Sequence, residues 1–293
     1  MTYWAPDNLA KNVQMWLNIN DIPAVSGNEA GTVQPSGEFT GIDFAGNSSD
    51  RPELATLSGN AVLDFEEGDD YYVAQSLSGR LSSIGGGERY ILIGHARAKP
   101  NGNAIVLTIK SDSSQPSDTQ ILTSKSFFST TITAKANTGP SSQTLGTYTF
   151  LSGFHIIEAQ FEQEAPPNDL DTHTYFLDGS SVATIEDEPA TVFDNDESLA
   201  LGDDNGSGID TRNQFEGTIG DLVILNYVPS ESERSRLQGW YAHKFGAEGQ
   251  LPASHQYKEY RPLARFEKRK DGLDQLLEGG LSSRLTLTPT FGK

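Results

Sequence analysis

Apolar and polar side chains alternate along Phe154-His155-Ile156-Ile157-Glu158-Ala159-Gln160-Phe161-Glu162. Ile157, Ala159 and Phe161 fall on one side and Glu158, Gln160 and Glu162 on the other, the period-two pattern of a half-buried strand. Further on, Tyr175-Phe176-Leu177 is joined to Val182-Ala183-Thr184-Ile185 through Asp178-Gly179. Asp-Gly supplies the positive φ angles of a tight turn, so this stretch predicts a β-hairpin. Strands are also expected over 14–19, 61–65, 89–95, 104–110, 119–122, 127–134, 145–151, 198–201 and 219–225. Clusters of Gly, Ser, Asn and Asp separate them, and the polar stretches 111–118 and 137–143 read as surface loops. Many short strands without alternating helices predict an all-β, two-sheet antiparallel sandwich.

One helix interrupts this pattern. Pro229-Ser230-Glu231-Ser232-Glu233 is a capping box, in which Ser230 and Glu233 each satisfy the other's backbone N–H. Leu237, Trp240, Tyr241 and Phe245 then recur at helical spacing, and Gly246 is a natural stop. The helix is expected over about 230–245, lying across the sandwich with its aromatic stripe inward as packing.

Charge divides the chain. Of 40 acidic and 21 basic residues, five and eight fall after residue 257, so the net charge of −19 splits into +3 for 258–293 and −22 for the rest. This predicts a body, 1–257, and a basic extension, 258–293. So acidic a body repels nucleic acid and anionic lipid, and neither is expected as a partner. The 35% hydrophobic content is enough for a sizeable core, and the absence of cysteine excludes disulfides and thiolate chemistry. Residues 1–20 lack a basic start followed by an apolar run, so no signal peptide is expected, and no apolar run is long enough for membrane insertion.

The common catalytic signatures are missing: there is no G-x-S-x-G elbow, phosphate loop or H-E-x-x-H zinc helix. Gly85-Gly86-Gly87 precedes Glu88-Arg89-Tyr90 and reads as a turn. His95, His155, His173, His243 and His255 are scattered without ligand spacing. The alternating acid triplet E-x-D-x-x-E of sandwich glucanases, which sets two carboxyl groups on one face of a cleft, is absent. Glu67-Gly68-Asp69 comes nearest, with Tyr72 in the last position, and Glu186-Asp187-Glu188 runs into Pro189. Asp203, Asn205, Ser207 and Asp210 place oxygen ligands as at the start of a calcium loop, with Gly208 sixth from Asp203. The twelfth position is Gln214 rather than a bidentate glutamate, so the expected reading is a polar hairpin joining 199–201 to 219–225. No cofactor is expected, with calcium kept as the option at this loop.

Phe215-Glu216-Gly217-Thr218-Ile219-Gly220-Asp221-Leu222-Val223-Ile224 resembles the "F-x-G-x-I-x-E/D" strand of concanavalin A-like, laminin-G-like jelly rolls. Tyr227 to Glu233 and Leu237 to Gly246 are similar to the "L-S-x-x-E … G-Y-L-A-H-K-W-G" helix of its phage and bacterial members. Leu251 to Lys258 resembles their "L-P-x-x-H-P-Y-K" tail, with Gln256 in place of the proline. Upstream, Met15-Trp16-Leu17-Asn18 is similar to the opening "L-W-L-D" strand. Arg51-Pro52-Glu53-Leu54 and Val62-Leu63-Asp64-Phe65 resemble "R-P-x-L … V-x-F". The resemblance covers roughly residues 13 to 258. It implies a jelly roll whose N- and C-terminal segments pair near each other. Members bind glycans or proteins or form parts of larger particles, and some bind calcium at the sandwich rim. No glycan-binding motif carries over.

The leading expectation is a non-enzymatic bacteriophage virion protein, a head decoration or a fibre or baseplate component, assembled in the host cytoplasm. The C-terminal extension is then an anchoring or oligomerisation arm that docks on other capsid or tail proteins. Arg261, Arg265, Lys268, Arg269 and Lys270 would meet an acidic surface, and Leu273, Leu276 and Leu277 form a short apolar stripe. Leu285 and Leu287 alternate with polar residues like a strand that adds to a neighbour's sheet edge. The alternative for this segment is a tail that packs on its own body or stays disordered. A homo-oligomer is expected, because virion positions carry symmetry. Cell-surface glycans are the other candidate partner. The alternative function is a carbohydrate-binding module of a cell-surface or secreted protein, with Tyr71, Tyr72 and Tyr148 as candidate exposed aromatics. A glycan hydrolase or lyase is the third reading.

Overall fold

The structure is a computed structural model describing residues 4–9, 13–37, 42–46, 51–65, 70, 72–75, 88–97, 102–110, 119–126, 129–136, 142–148, 153–163, 171–187, 198–202 and 215–263. In these residues the alternating segments form strands β1 Met15–Leu17, β2 Phe44–Ala45, β3 Glu53–Leu57, β4 Asn60–Phe65 and β5 Tyr72–Gln75. They continue with β6 Arg89–Arg97, β7 Gly102–Lys110, β8 Thr119–Ser126, β9 Ser129–Ala136 and β10 Ser142–Tyr148. The remaining strands are β11 His155–Gln163, β12 Asp171–Leu177, β13 Ser180–Asp187, β14 Ser198–Leu201 and β15 Gly217–Leu225, followed by helix α1, Glu231–Phe245.

Every pairing among the described strands is antiparallel. One sheet runs β13-β12-β11-β6-β15-β4-β3, with β1 also on β15, and the second runs β10-β9-β8-β7-β14-β5-β2. On one flank of β15, β4 pairs with Gly217 to Ile219 and β1 with Leu222 to Ile224, end to end. This is the expected all-β sandwich. The hairpin turn is also as read: Asp178 and Gly179 have φ of 51° and 83°. Ser58-Gly59 makes a second turn of the same hand between β3 and β4.

Two apolar layers hold the fold. Between the sheets lie Met15, Leu17, Phe44, Leu63, Phe65, Ile91, Ile93, Ile157, Phe161, Leu222 and Ile224, all buried. On the other side of the eight-stranded sheet, Val62, Leu92, Ile156, Val223 and Leu225 pack against Leu237, Trp240, Tyr241 and Phe245 of α1. Both faces of this sheet's centre are therefore covered, which makes three layers: sheet, sheet, helix. Ser230 caps α1, accepting from the Glu233 N–H while the Glu233 carboxylate accepts from the Ser230 N–H, and Gly246 ends it with φ of 70°.

Two expectations change. The outward side of β11 is not a solvated face, because Glu158 is 0% and Gln160 6% exposed beneath α1. The segments 198–201 and 219–225 do not form a hairpin: β14 pairs with β5 and β7 in one sheet, β15 with β1, β4 and β6 in the other. The chain between them crosses from sheet to sheet.

The ends of the described body meet. The Trp4 N–H donates to the Pro262 carbonyl at 3.0 Å, in line with the neighbouring termini that the jelly-roll resemblance implies.

Candidate functional site

Among the described residues, polar side chains concentrate between the eight-stranded sheet, α1 and the segment that follows it. The register places Glu158 of β11 opposite Leu92 of β6, with its carboxylate toward the helix layer. Burial without partners would be prohibitive for this group. Three contacts relieve it: the Tyr90 hydroxyl donates to Oε2 at 2.6 Å, and the Gln238 amide donates to both oxygens at 2.9 Å. Burial nonetheless dominates and pushes the carboxyl up to about 7, against the donors from Tyr90 and Gln238 and the charge of Arg234. The Tyr90 phenol is driven well above its usual range by burial and by the same Glu158.

The network continues outward. His255 Nε2 meets Gln238 Oε1 at 2.9 Å, and the Tyr257 N–H donates to His255 Nδ1 at 3.2 Å. Arg234 lies over the Phe176 ring at 4.2 Å and reaches Gln160 Oε1 at 3.4 Å. On the hairpin turn, Asp178 accepts from the Ile156 N–H and contacts His155 Nδ1, both at 2.8 Å. Gly179 sits under Pro252, Leu251 and Gln238, where a side chain would press on all three.

A second polar cluster is centred on Asp221, 0% exposed. Lys244 Nζ lies 2.5 Å from its Oδ2, the Trp16 indole donates to the same oxygen at 3.0 Å, and the Ile19 N–H donates to Oδ1 at 3.1 Å. Burial raises this carboxyl, and Lys244, Trp16 and Ile19 oppose the rise. Asp221 also lies in a bulge of β15, where Ile219 and Leu222 pair with His95 and Ile93 and two residues face Gly94. The Tyr241 hydroxyl enters the gap, accepting from the Gly94 N–H at 2.8 Å and donating to the Asp221 carbonyl at 2.5 Å.

Chemically, both clusters join layers. Neither sets two carboxyl groups face to face across an open cleft as glycoside hydrolysis requires. Among the described residues no group of three His, Asp or Glu could hold a metal ion, and no helix is long and apolar enough to cross a membrane.

The residues proposed from sequence fare unevenly. Asp203, Asn205, Ser207 and Asp210 lie outside the described residues. The base of their loop is held by the Phe215 N–H donating to the Gly202 carbonyl at 2.9 Å, and His95 meets the Phe215 ring edge-on. Tyr72 is not an exposed aromatic: it is 0% exposed, stacks on Phe44, and its hydroxyl donates to the Gly31 carbonyl. Tyr71 and the Tyr148 side chain lie outside the described residues. Of the arm, Arg261 is described and half-buried. Arg265, Lys268, Arg269, Lys270, Leu273, Leu276, Leu277, Leu285 and Leu287 lie outside. Glu158, Gln238 and His255 were not anticipated from sequence. One signal was available: an aromatic helix late in the chain needs a sheet face to cover, and Ile156-x-Glu158 belongs to it.

No family model matches the chain, and no curated protein matches it in sequence. Solved structures do match in fold. Domain 4 of AbnA, a GH43 extracellular arabinanase from Geobacillus stearothermophilus solved with arabinotriose, matches with a TM-score of 0.51 at 12% identity. The match covers 77% of this chain and 98% of that domain. Trypanosoma rangeli sialidase, in complex with the inhibitor DANA, matches with a TM-score of 0.50 at 9% identity over 75% of this chain. The chain spans about a third of the sialidase's length, 32% of it. At such identities the likeness is one of fold alone, a β-sandwich.

Proposed function

We propose that this chain is a non-catalytic, glycan-binding sandwich that serves as a structural component of a bacteriophage particle. The observation that carries the non-catalytic reading is the use made of the buried acids. Glu158 and Asp221 each bind groups of α1, Gln238 and Lys244, and so fasten the helix to one side of the sandwich. That side is a structural layer, which leaves ligand contact to the second sheet and the rims.

The glycan reading is supported by the match to nearly the whole of an arabinanase domain solved with arabinotriose. The virion reading is supported by the strand, helix and tail resemblance to phage structural proteins and by the +3 charge of 258–293 against a −22 body. A carbohydrate-binding module of a secreted protein is the second reading, favoured by the same arabinanase domain.

The test is to titrate the full chain against arabino-oligosaccharides and sialylated and neutral glycans, with and without calcium, while measuring reducing-end release. Saturable binding without turnover supports the proposal. Turnover abolished by a single carboxylate substitution overturns it, and so does failure to bind any glycan class.

A further inference from the structure

Tyr257 is gripped from two directions by histidines. Its N–H donates to His255 Nδ1 at 3.2 Å, and its carbonyl meets His243 Nε2 of α1 at 2.7 Å. Arg236 Nε reaches its hydroxyl at 3.3 Å, and its Cβ rests where Gly239 of α1 has no side chain; a methyl group there would collide with it. The basic extension begins with the next residue, Lys258, whose Nζ donates to the Gly249 and Leu251 carbonyls, and it stays on the body as far as Pro262, whose carbonyl accepts from the Trp4 N–H.

The donors and acceptors here have a fixed direction. A backbone N–H can only donate, so His255 Nδ1 must carry a lone pair. Its Nε2 then bears the proton and donates to Gln238 Oε1, and the Gln238 amide donates inward to Glu158. The chain of bonds runs from Tyr257 through His255 and Gln238 to the Glu158 carboxylate, which Tyr90 caps from the far side. Neutral His255 satisfies every link. Protonated His255 cannot, because an Nδ1–H would face the Tyr257 N–H.

We propose that His255 is a proton-operated latch at the root of the C-terminal extension: neutral, it seats Tyr257 on α1, and protonated, it releases it. The surroundings favour the neutral form. Burial lowers the His255 pKa, and the charges of Lys258 and His243 lower it further. Arg236 of α1 faces the same cluster through the Tyr257 hydroxyl. Glu158 from β11 and Asp178 from the β12–β13 turn lie beyond Gln238. The latch is independent of what the sandwich binds. It makes the seating of Tyr257, where the extension begins, depend on pH, with the seated form present above the ordinary histidine range and lost as pH falls below it.

Hydrogen exchange of the Tyr257 amide in the full chain, read by NMR between pH 7.5 and 5 against the Val223 amide in β15, tests this. The latch predicts that Tyr257 loses at least about tenfold of its protection on acidification while Val223 keeps its own. In His255→Asn, whose Oδ1 can take the place of Nδ1 but cannot titrate, Tyr257 should stay protected throughout. Equal protection of wild-type Tyr257 at both pH values, or a fall that persists in His255→Asn, overturns the proposal. Should His255→Asn fail to fold, the imidazole nitrogen shifts of the wild type decide. They must report an unprotonated Nδ1 at pH 7.5, and a protonated Nδ1 contradicts the latch.

Discussion

The hydroxyl of Tyr241 lies 2.5 Å from the carbonyl oxygen of Asp221 and completes the sheet that the helix covers. The bulge in β15 leaves the Asp221 C=O and the Gly94 N–H without strand partners, and one phenol satisfies both. Its ring needs room: side chains at Gly94 or Gly220 would strike Tyr241 and Phe154. A helix residue, two strand glycines and a bulge thus form one unit.

Replacing Tyr241 by Phe should keep the packing with Phe154 and Phe245 and strand two buried backbone groups. The expected loss is about 1–3 kcal/mol. Urea unfolding should show a lower midpoint with an unchanged slope, and an unchanged midpoint would contradict the assignment.

Lys244→Met should cost more. It leaves Asp221 fully buried with only the Trp16 and Ile19 donors. Removing one partner of a buried pair typically costs about 3–5 kcal/mol. The companion Asp221→Asn in the Lys244→Met background should recover part of the loss, because it neutralises the stranded charge. Thermal unfolding of the two variants checks both statements.

Glu158 gives the fold a pH dependence of definite sign. Its carboxyl lies near 7 in the folded chain, above the ordinary value of 4.5, so the folded state binds the proton more tightly. Its contribution is therefore full below pH 4.5 and is lost as pH rises through 7, about 3 kcal/mol in all. His255, with a lowered pKa, contributes in the opposite sense, its stabilisation fading as pH falls below the histidine range. Glu158→Gln should flatten the decline in stability between pH 5 and 8.5. Chemical denaturation across that range measures it, and a decline as steep as in the wild type would place the titrating group elsewhere.

The strands that sequence reveals best are those with one apolar side and one polar side, and the Asp178-Gly179 hairpin and the capped helix were legible for equally local reasons. β3 was not, because none of its residues is buried and it carries no alternation to read. β5 was hidden for the opposite reason, since Tyr72, Val73 and Ala74 are all buried. Glu158 misled because an acid in an alternating strand ordinarily marks a solvated face. Its burial depends on α1, some seventy residues later in the chain, and nothing local announces that contact. The sheet-to-sheet crossover between β14 and β15 was missed likewise, since strand patterns do not say which sheet a strand joins.

The proposed role, a particle component held by its basic extension, has a direct test. Sedimentation of the full chain, and of a form ending at Leu263, with particles lacking the protein tests it most directly. The full chain should travel with the particles, the shortened form should stay in the supernatant, and both should retain glycan binding. If neither form associates with particles, or both associate equally, the extension is not the anchor and the particle role is contradicted.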